Sequence, residues 1–125
     1  MQILRTETAP LPIGPYSQAV RVGDFIFISG QVGVDPKTKA LVLGGIEAQT
    51  RQALENIKSI LYASGSSLEE AVKVTVFLGD MKDFKKMNDV YSMFFKTNPP
   101  ARTTVQAKLP LANAVVEIDA IARSV

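Results

Sequence analysis

Two ionisable side chains stand in settings that secondary-structure propensity alone does not explain. Arg102 follows Pro99-Pro100-Ala101 and opens a run that reads as a strand. Glu117 lies in Val116-Glu117-Ile118, inside an otherwise apolar strand, where a carboxylate is costly unless something answers it. A planar guanidinium donates two parallel hydrogen bonds to a carboxylate, a geometry that an ammonium cannot copy. The double proline fixes the backbone entering the strand and so limits where Arg102 can point. An arginine and a carboxylate placed this way suggest a small site for a carboxylate-bearing ligand. Each also has a plainer reading. Arg102 could pair with a neighbouring Glu or Asp, and Glu117 could be an ordinary charge on a solvent-facing strand.

The absent residues narrow the chemistry further. With no cysteine there is no thiolate nucleophile, disulfide or iron–sulfur ligation. With no histidine there is no Ser-His-Asp triad, imidazole base or His-bearing zinc site. Neither a glycine-rich phosphate loop nor a metal-ligand cluster is present, which fits a reaction without cofactor or metal. The net charge of +2 is too small to argue for nucleic acid. There is no aromatic base-stacking motif or basic stripe either. Lys82, Lys85 and Lys86 interleave with Asp80, Asp83 and Asp89, as on a solvated helix face.

The chain of 125 residues, 46% hydrophobic and 21% charged, reads as one soluble globular domain spanning residues 1–125. No apolar run approaches the ~20 residues of a membrane span, and Met1–Glu7 lacks a signal-peptide core, so the expected location is the cytoplasm.

The proline- and glycine-rich residues 9–18 read as an ordered loop. In it Tyr16 has the plain role of a half-buried packing residue. Val20–Val22, Gly23-Asp24 and Phe25–Ile28 predict a hairpin with a tight turn. Its second strand is apolar on both faces, Phe25 and Phe27 on one and Ile26 and Ile28 on the other. One layer of helices covers one face only, so a second subunit is expected over the other. Ser29-Gly30 follows, and a glycine there lets a ligand approach the backbone.

Asp35–Lys39 is a turn. A helix is expected from about Glu47 to Ser64, with Ile46, Ala53, Leu54, Ile57 and Leu61 as its apolar stripe and Gly65 as its C′ residue. Ser67-Leu68-Glu69-Glu70 has the pattern of a capping box. Val72, Val74, Val76 and Leu78 alternate as a strand. Phe84, Met87, Tyr91 and Phe94 predict a second helix, stopped by Pro99-Pro100. Asn88 lies at the edge of that stripe, where a boundary amide satisfied by backbone would be ordinary. Two strands follow, about Thr103–Leu109 and Val115–Ala122. Alternation puts Arg102, Thr104, Gln106 and Lys108 on one side of the first. In the second it separates a core face, Val116, Ile118, Ala120 and Ala122, from a mixed face bearing Glu117 and Asp119. The order describes an α+β fold.

The chain resembles the RidA/YjgF family of reactive-intermediate (imine) deaminases. The matching segments run from Ala9-Pro10 through Ile13-Gly14-Pro15-Tyr16-Ser17-Gln18-Ala19 and Ser29-Gly30-Gln31. They continue through Val74–Leu78, Asp83-Phe84, Asn88, Pro100-Ala101-Arg102, Leu109-Pro110, Val116-Glu117-Ile118 and Ala120-Ile121-Ala122, and so span nearly the whole chain. The resemblance implies a mixed β-sheet with two helices on one face, similar to chorismate mutase and assembled as a homotrimer. It also implies that the last two strands are not simple neighbours, although their short connection invites pairing. Arg102 matches the arginine that holds the substrate carboxylate, and Glu117 is the candidate for handling the proton. Tyr16, Ser29, Gly30, Asn88 and Thr104 are implied to line the substrate pocket. The family often has a cysteine where Thr104 stands, so thiol chemistry is removed here while a backbone N–H role stays intact.

The expected activity is hydrolysis of short 2-imino acids (2-iminobutanoate, 2-iminopropanoate and their enamine tautomers) to 2-oxo acids and ammonia. The expected ligand is accordingly a small 2-imino or 2-oxo acid. Two alternatives remain: a regulatory module that binds small carboxylates without turnover, and a ribonuclease-like inhibitor of translation.

Overall fold

In the computed structural model, which describes residues 1–125, the chain runs through β1 (Gln2–Leu4), β2 (Ala19–Val22), β3 (Phe25–Val32), β4 (Val34–Asp35) and β5 (Ala40–Leu41). It then forms α1 (Gly45–Ala63), β6 (Ala71–Leu78), α2 (Phe84–Phe94), β7 (Ala101–Gln106) and β8 (Val116–Arg123). The main sheet has the order β1-β2-β3-β8-β6-β7, and β4-β5 form a separate ribbon. All neighbours in the main sheet are antiparallel except β6 and β7, which are parallel and joined through α2. A parallel pair requires a crossover of this kind.

The expected α+β architecture, a mixed sheet with two helices on one face, is therefore the one observed. The last two strands are indeed not neighbours: β8 inserts between β3 and β6, and β7 lies at the edge. β1 is an edge strand that the proline-rich start of the chain did not suggest.

One sheet face carries the core. Ile26, Ile28, Val74, Val76, Leu78, Val116, Ile118, Ala120 and Ala122 are all buried there. They join Ala53, Leu54, Ile57 and Leu61 of α1 and Met87 and Tyr91 of α2 in one apolar cluster. Burying a side chain of the Leu or Ile class contributes roughly 1.5–3 kcal/mol. The other face has no helix layer: Phe25 and Phe27 are 42% and 41% exposed, and Val22 and Val105 are also exposed.

α1 ends as its sequence predicts. Gly65 takes φ +81°, its N–H donates to the Tyr62 carbonyl at 3.1 Å, and the Ser66 N–H donates to the Leu61 carbonyl at 2.9 Å. These are the two bonds of a Schellman cap. The following turn departs from expectation. Ser67 precedes a short 3-10 helix, Leu68–Glu70, without a side-chain cap: the Glu70 N–H donates to the Ser67 carbonyl at 3.1 Å, and the Glu70 carboxylate accepts from Arg123 Nε at 2.7 Å. In β6 a register shift between Ala71 and Lys73 moves Val72 out of the apolar alternation and leaves it exposed. α2 stops at Phe94, before the double proline. Phe95 leaves helical geometry (φ −125°, ψ 66°), and its buried ring packs on Tyr91 with centroids 4.6 Å apart. β7 ends at Gln106, so Lys108 lies beyond the strand.

Buried amides fasten the loops. Asn56 Nδ2 donates to the carbonyls of Val32 and Val34 at 3.2 and 3.0 Å. Gln49 accepts from the Val115 N–H at 2.9 Å and donates to the Asn113 carbonyl at 3.3 Å. This brings α1 so close to the end of β3 that a Cβ on Gly33 would lie 2.7 Å from the Gln49 Cα. Backbone cannot yield as a flexible side chain can. Gly33→Ala should therefore cost ~1–3 kcal/mol through overpacking, seen as a lower urea midpoint with an unchanged denaturant slope.

Candidate functional site

Arg102 is carried by the edge strand. Its register partner on β6 is Val74, and Thr104 and Gln106 lie opposite Val76 and Leu78. Since Val74, Val76 and Leu78 point to the helices, Arg102 and Thr104 do too. There the guanidinium meets α2: Nη1 donates to Asn88 Oδ1 at 2.7 Å. The guanidinium carbon lies 4.6 Å from the Tyr91 ring centroid and 5.6 Å from that of Phe84. The ion pairs of the chain are Lys82–Asp80, Lys85–Asp89 and Arg123–Glu70, so no carboxylate answers Arg102. The plainer reading of Arg102 is thus not met. Nor is that of Asn88, whose oxygen accepts from a side chain and not from backbone. Nearby hydroxyls are also unanswered, since Thr104 Oγ1 and the Tyr91 hydroxyl are buried without a hydrogen-bond partner. Burial pushes the Tyr91 pKa up to about 12, although the Arg102 charge works against the rise.

Glu117 lies on the opposite face. Its partners are Val32 on β3 and Phe77 on β6, and its helix-side neighbours Val116 and Ile118 are fully buried. Between Ile28 and Gln31 the register of β3 against β8 slips by one residue, a bulge that falls at Ser29-Gly30. The Glu117 carboxylate occupies the space this opens, where a Cβ on Gly30 would be 2.5 Å from Glu117 Oε2. A side chain at position 30 would therefore displace the Glu117 carboxylate from this place.

Ser29 anchors the Tyr16 loop to the same place. Its N–H donates to the Gln18 carbonyl at 3.1 Å and its hydroxyl to the Ser17 carbonyl at 2.6 Å. Tyr16 itself is 49% exposed, about half-buried. Gln18, buried at the end of the loop, clamps the segment before it: Oε1 accepts from the Thr6 N–H at 2.8 Å, and Nε2 donates to the Pro10 carbonyl at 2.8 Å. Sequence reasoning passed over this clamp; its signal was an amide closing a loop rich in proline and glycine.

Burial raises the Glu117 pKa, and the neighbouring charge of Asp119 raises it further. Asp119 is likewise raised by burial, while hydrogen bonds from Thr75 and the Lys73 charge oppose the rise. No cation pairs with Glu117 in the chain.

The structure therefore gathers the expected site residues into two groups: Arg102, Asn88 and Thr104 on the helix side, and Glu117, Gly30, Ser29 and the Tyr16 loop on the open side. The β7 and β8 strands flank β6 on opposite sides, so Arg102 and Glu117 are separated by about 10 Å across the sheet and a similar distance along it, with side chains diverging. One copy of the chain does not bring them together.

The sequence and the fold have close counterparts. The family model described as Endoribonuclease L-PSP matches residues 6–124. A RutC family protein of Pyrococcus horikoshii is 53% identical over 97% of this chain and 96% of its own. The 2-iminobutanoate/2-iminopropanoate deaminase of Homo sapiens is 44% identical over 97% of this chain and 88% of its own. Among solved structures, E. coli TdcF with bound serine superposes with a TM-score of 0.93 at 40% identity, covering 98% of each chain. The chain belongs to the RidA/YjgF/RutC family.

The environment of Glu117 fixes the sign of a pH effect. Its folded pKa is raised, so the folded chain binds more protons than the unfolded one between the ordinary carboxylate value and the raised value. Stability contributed by this group is present below that window and is lost as pH rises through it. In a single, dissociated copy of the chain, Glu117→Gln should thus raise stability relative to wild type at neutral pH, with the gain vanishing below the ordinary carboxylate range. Urea midpoints measured against pH check this; a loss at neutral pH would show that Glu117 answers a cation.

Proposed function

We propose that the protein hydrolyses short 2-imino acids, such as 2-iminobutanoate and 2-iminopropanoate, to 2-oxo acids and ammonia. The observation that carries this reading is Arg102, a half-buried guanidinium held by a neutral amide and aromatic rings and answered by no carboxylate of its own chain. Such a group suits a ligand carboxylate. Relatives of this family named 2-iminobutanoate/2-iminopropanoate deaminase, 46% and 44% identical, support the reaction class.

An imine carbon beside a carboxylate is electrophilic, so the reaction requires position and proton transfer more than activation. Arg102 holds the carboxylate. Water adds to the imine carbon and forms a carbinolamine. Glu117 takes the proton from the water and returns it to nitrogen. Glu117 then moves the carbinolamine hydroxyl proton to the amino nitrogen as the C–N bond breaks, so that the electron pair of that bond leaves with ammonia, the oxygen closes to C=O and the 2-oxo acid remains. The raised pKa of Glu117 brings it closer to the operating pH, where a group can both accept and donate. Tyr16, Ser29, Gly30, Asn88 and Thr104 line the pocket in this reading.

We further infer that the working form is a homotrimer with pockets between subunits. In this arrangement the Arg102 group of one copy faces the Glu117 group of the next. The separation of the two groups in one chain and the uncovered Phe25 and Phe27 support this. Light scattering should find trimers, and an active monomer at low concentration would refute the arrangement.

A second reading, carboxylate binding without turnover, is favoured by the serine held in TdcF. Ammonia release from imine generated in place by a threonine dehydratase separates the two. Faster imine loss in the presence of the protein supports hydrolysis, whereas ligand binding without ammonia release supports the second reading. Cleavage of RNA with a steep dependence of binding on salt would point to the activity in the family's description instead.

Arg102→Lys should lower kcat/KM by ~10–100-fold, the worth of a charged hydrogen bond lost from a bidentate pair, with little change in Tm. Glu117→Gln should lower turnover by about 100-fold or more while binding of 2-oxobutanoate survives. Near-normal turnover of either variant would remove that residue from the mechanism.

A further inference from the structure

Phe84, Asn88 and Tyr91 are spaced by four and three residues on α2 and so share one face of that helix. All three converge on the guanidinium of Arg102. Tyr91 is the nearer ring, at 4.6 Å, and is buried; Phe84 stands at 5.6 Å and is 38% exposed. Sequence periodicity assigns both to the apolar stripe of the helix, and Tyr91 does belong to the core. Its second role lies in the face it turns to Arg102.

We propose that Tyr91, assisted by Phe84, is a positioning residue for Arg102, an aromatic seat that fixes the plane of the guanidinium so that one edge is presented to a ligand carboxylate. The inference rests on the reading of Arg102 as the carboxylate clamp.

A guanidinium donates hydrogen bonds only within its own plane. Attraction between the cation and the face of a ring settles where that plane lies. Asn88 then takes Nη1, the terminal nitrogen on the Cδ side, which is not part of the edge formed by Nε and Nη2. What remains in the plane is the edge formed by Nε and Nη2, whose parallel donors match the two oxygens of a carboxylate. The seat thus selects planar monocarboxylates and disfavours ligands in which an amide replaces that group.

The ring, not the hydroxyl, is the working part of Tyr91. The hydroxyl is buried without a partner, and with a pKa pushed up to about 12 it stays protonated throughout the neutral range. This separates positioning from proton transfer and makes Tyr91→Phe the rescuing variant.

The test measures 2-oxobutanoate affinity by calorimetry and, without ligand, the NMR shifts of the Arg102 δ-protons and Nε–H. Tyr91→Leu is expected to weaken binding about tenfold, with Tyr91→Phe restoring most of it. In an Arg102→Ala background Tyr91→Leu should have no further effect, because residues that act through one another are not additive. In the ligand-free protein the Arg102 signals should show ring-current displacement, retained in Tyr91→Phe and lost in Tyr91→Leu. If Tyr91→Leu does not fold, Phe84→Leu, at a half-exposed position, should show the same changes in smaller measure.

Undisplaced Arg102 signals in the wild type overturn the proposal. So does wild-type affinity in folded Tyr91→Leu, or an equal loss with and without Arg102. Absence of 2-oxobutanoate binding by a wild type whose Arg102 signals are displaced would instead remove the carboxylate reading and leave the seat standing.

Discussion

The whole arrangement depends on β8 serving two faces at once between β3 and β6. Its inward residues, Val116, Ile118, Ala120 and Ala122, are all buried, and the two alanines leave room for helix packing against the sheet. Its outward residues include Glu117 and Asp119, two carboxylates kept partly from water on a strand that cannot turn them elsewhere. The irregularities fall on its neighbours. β3 bulges at Ser29-Gly30 and β6 slips between Ala71 and Lys73, while β8 runs unbroken from Val116 to Arg123. The bulge in β3 opens space beside Glu117, and Gly30 leaves that space free of a side chain. The irregularity of β3 thus places Gly30 directly beside the Glu117 carboxylate.

Much of this was legible because period-two alternation is a strong signal when one face is fully buried. The alternation of Val116–Ala122 and the opposed faces of Phe25–Ile28 follow from residue type alone, as does the Gly65 cap. What depends on pairing partners was less legible. Val72 reads as inward until the slip against Ala122 and Ile121 turns it out. Ser67 and Glu70 satisfy a capping-box pattern, yet Glu70 bonds Arg123, which is distant in sequence. The double proline reads as the stop of α2, whereas the packing of Phe95 on Tyr91 ends it earlier. In the first two cases a local rule yielded to a contact with residues distant in sequence.

Candidate site residues show the same division. Arg102 and Glu117 stand out by chemistry, but their separation onto opposite faces requires knowing that β7 pairs parallel with β6 while β8 pairs antiparallel. Buried amides were harder to see, because Gln and Asn carry no charge to draw notice. Gln18, Gln49 and Asn56 each bridge backbone groups of segments far apart in sequence. A buried amide with its bonds made is stable, and the same amide left unpaired is costly. These residues hold the Tyr16 loop, the approach to β8 and the end of β3, which frame the open-side group.

The choice of partner for Arg102 has a physical consequence. A carboxylate at position 88 would neutralise the guanidinium and hold it more tightly, and a ligand anion would then have to compete with it. The amide of Asn88 supplies one hydrogen bond and no charge. Tyr91 and Phe84 supply attraction through ring faces, again without neutralising the cation. Desolvating a cation without an ion partner is costly, and the half-exposed position of Arg102 on an edge strand keeps that cost moderate. The charge is therefore retained in a fixed orientation. Glu117 is the converse case, an anion kept near another anion and away from cations, which leaves its proton easier to hold. Both groups are maintained in states that their own chain does not neutralise.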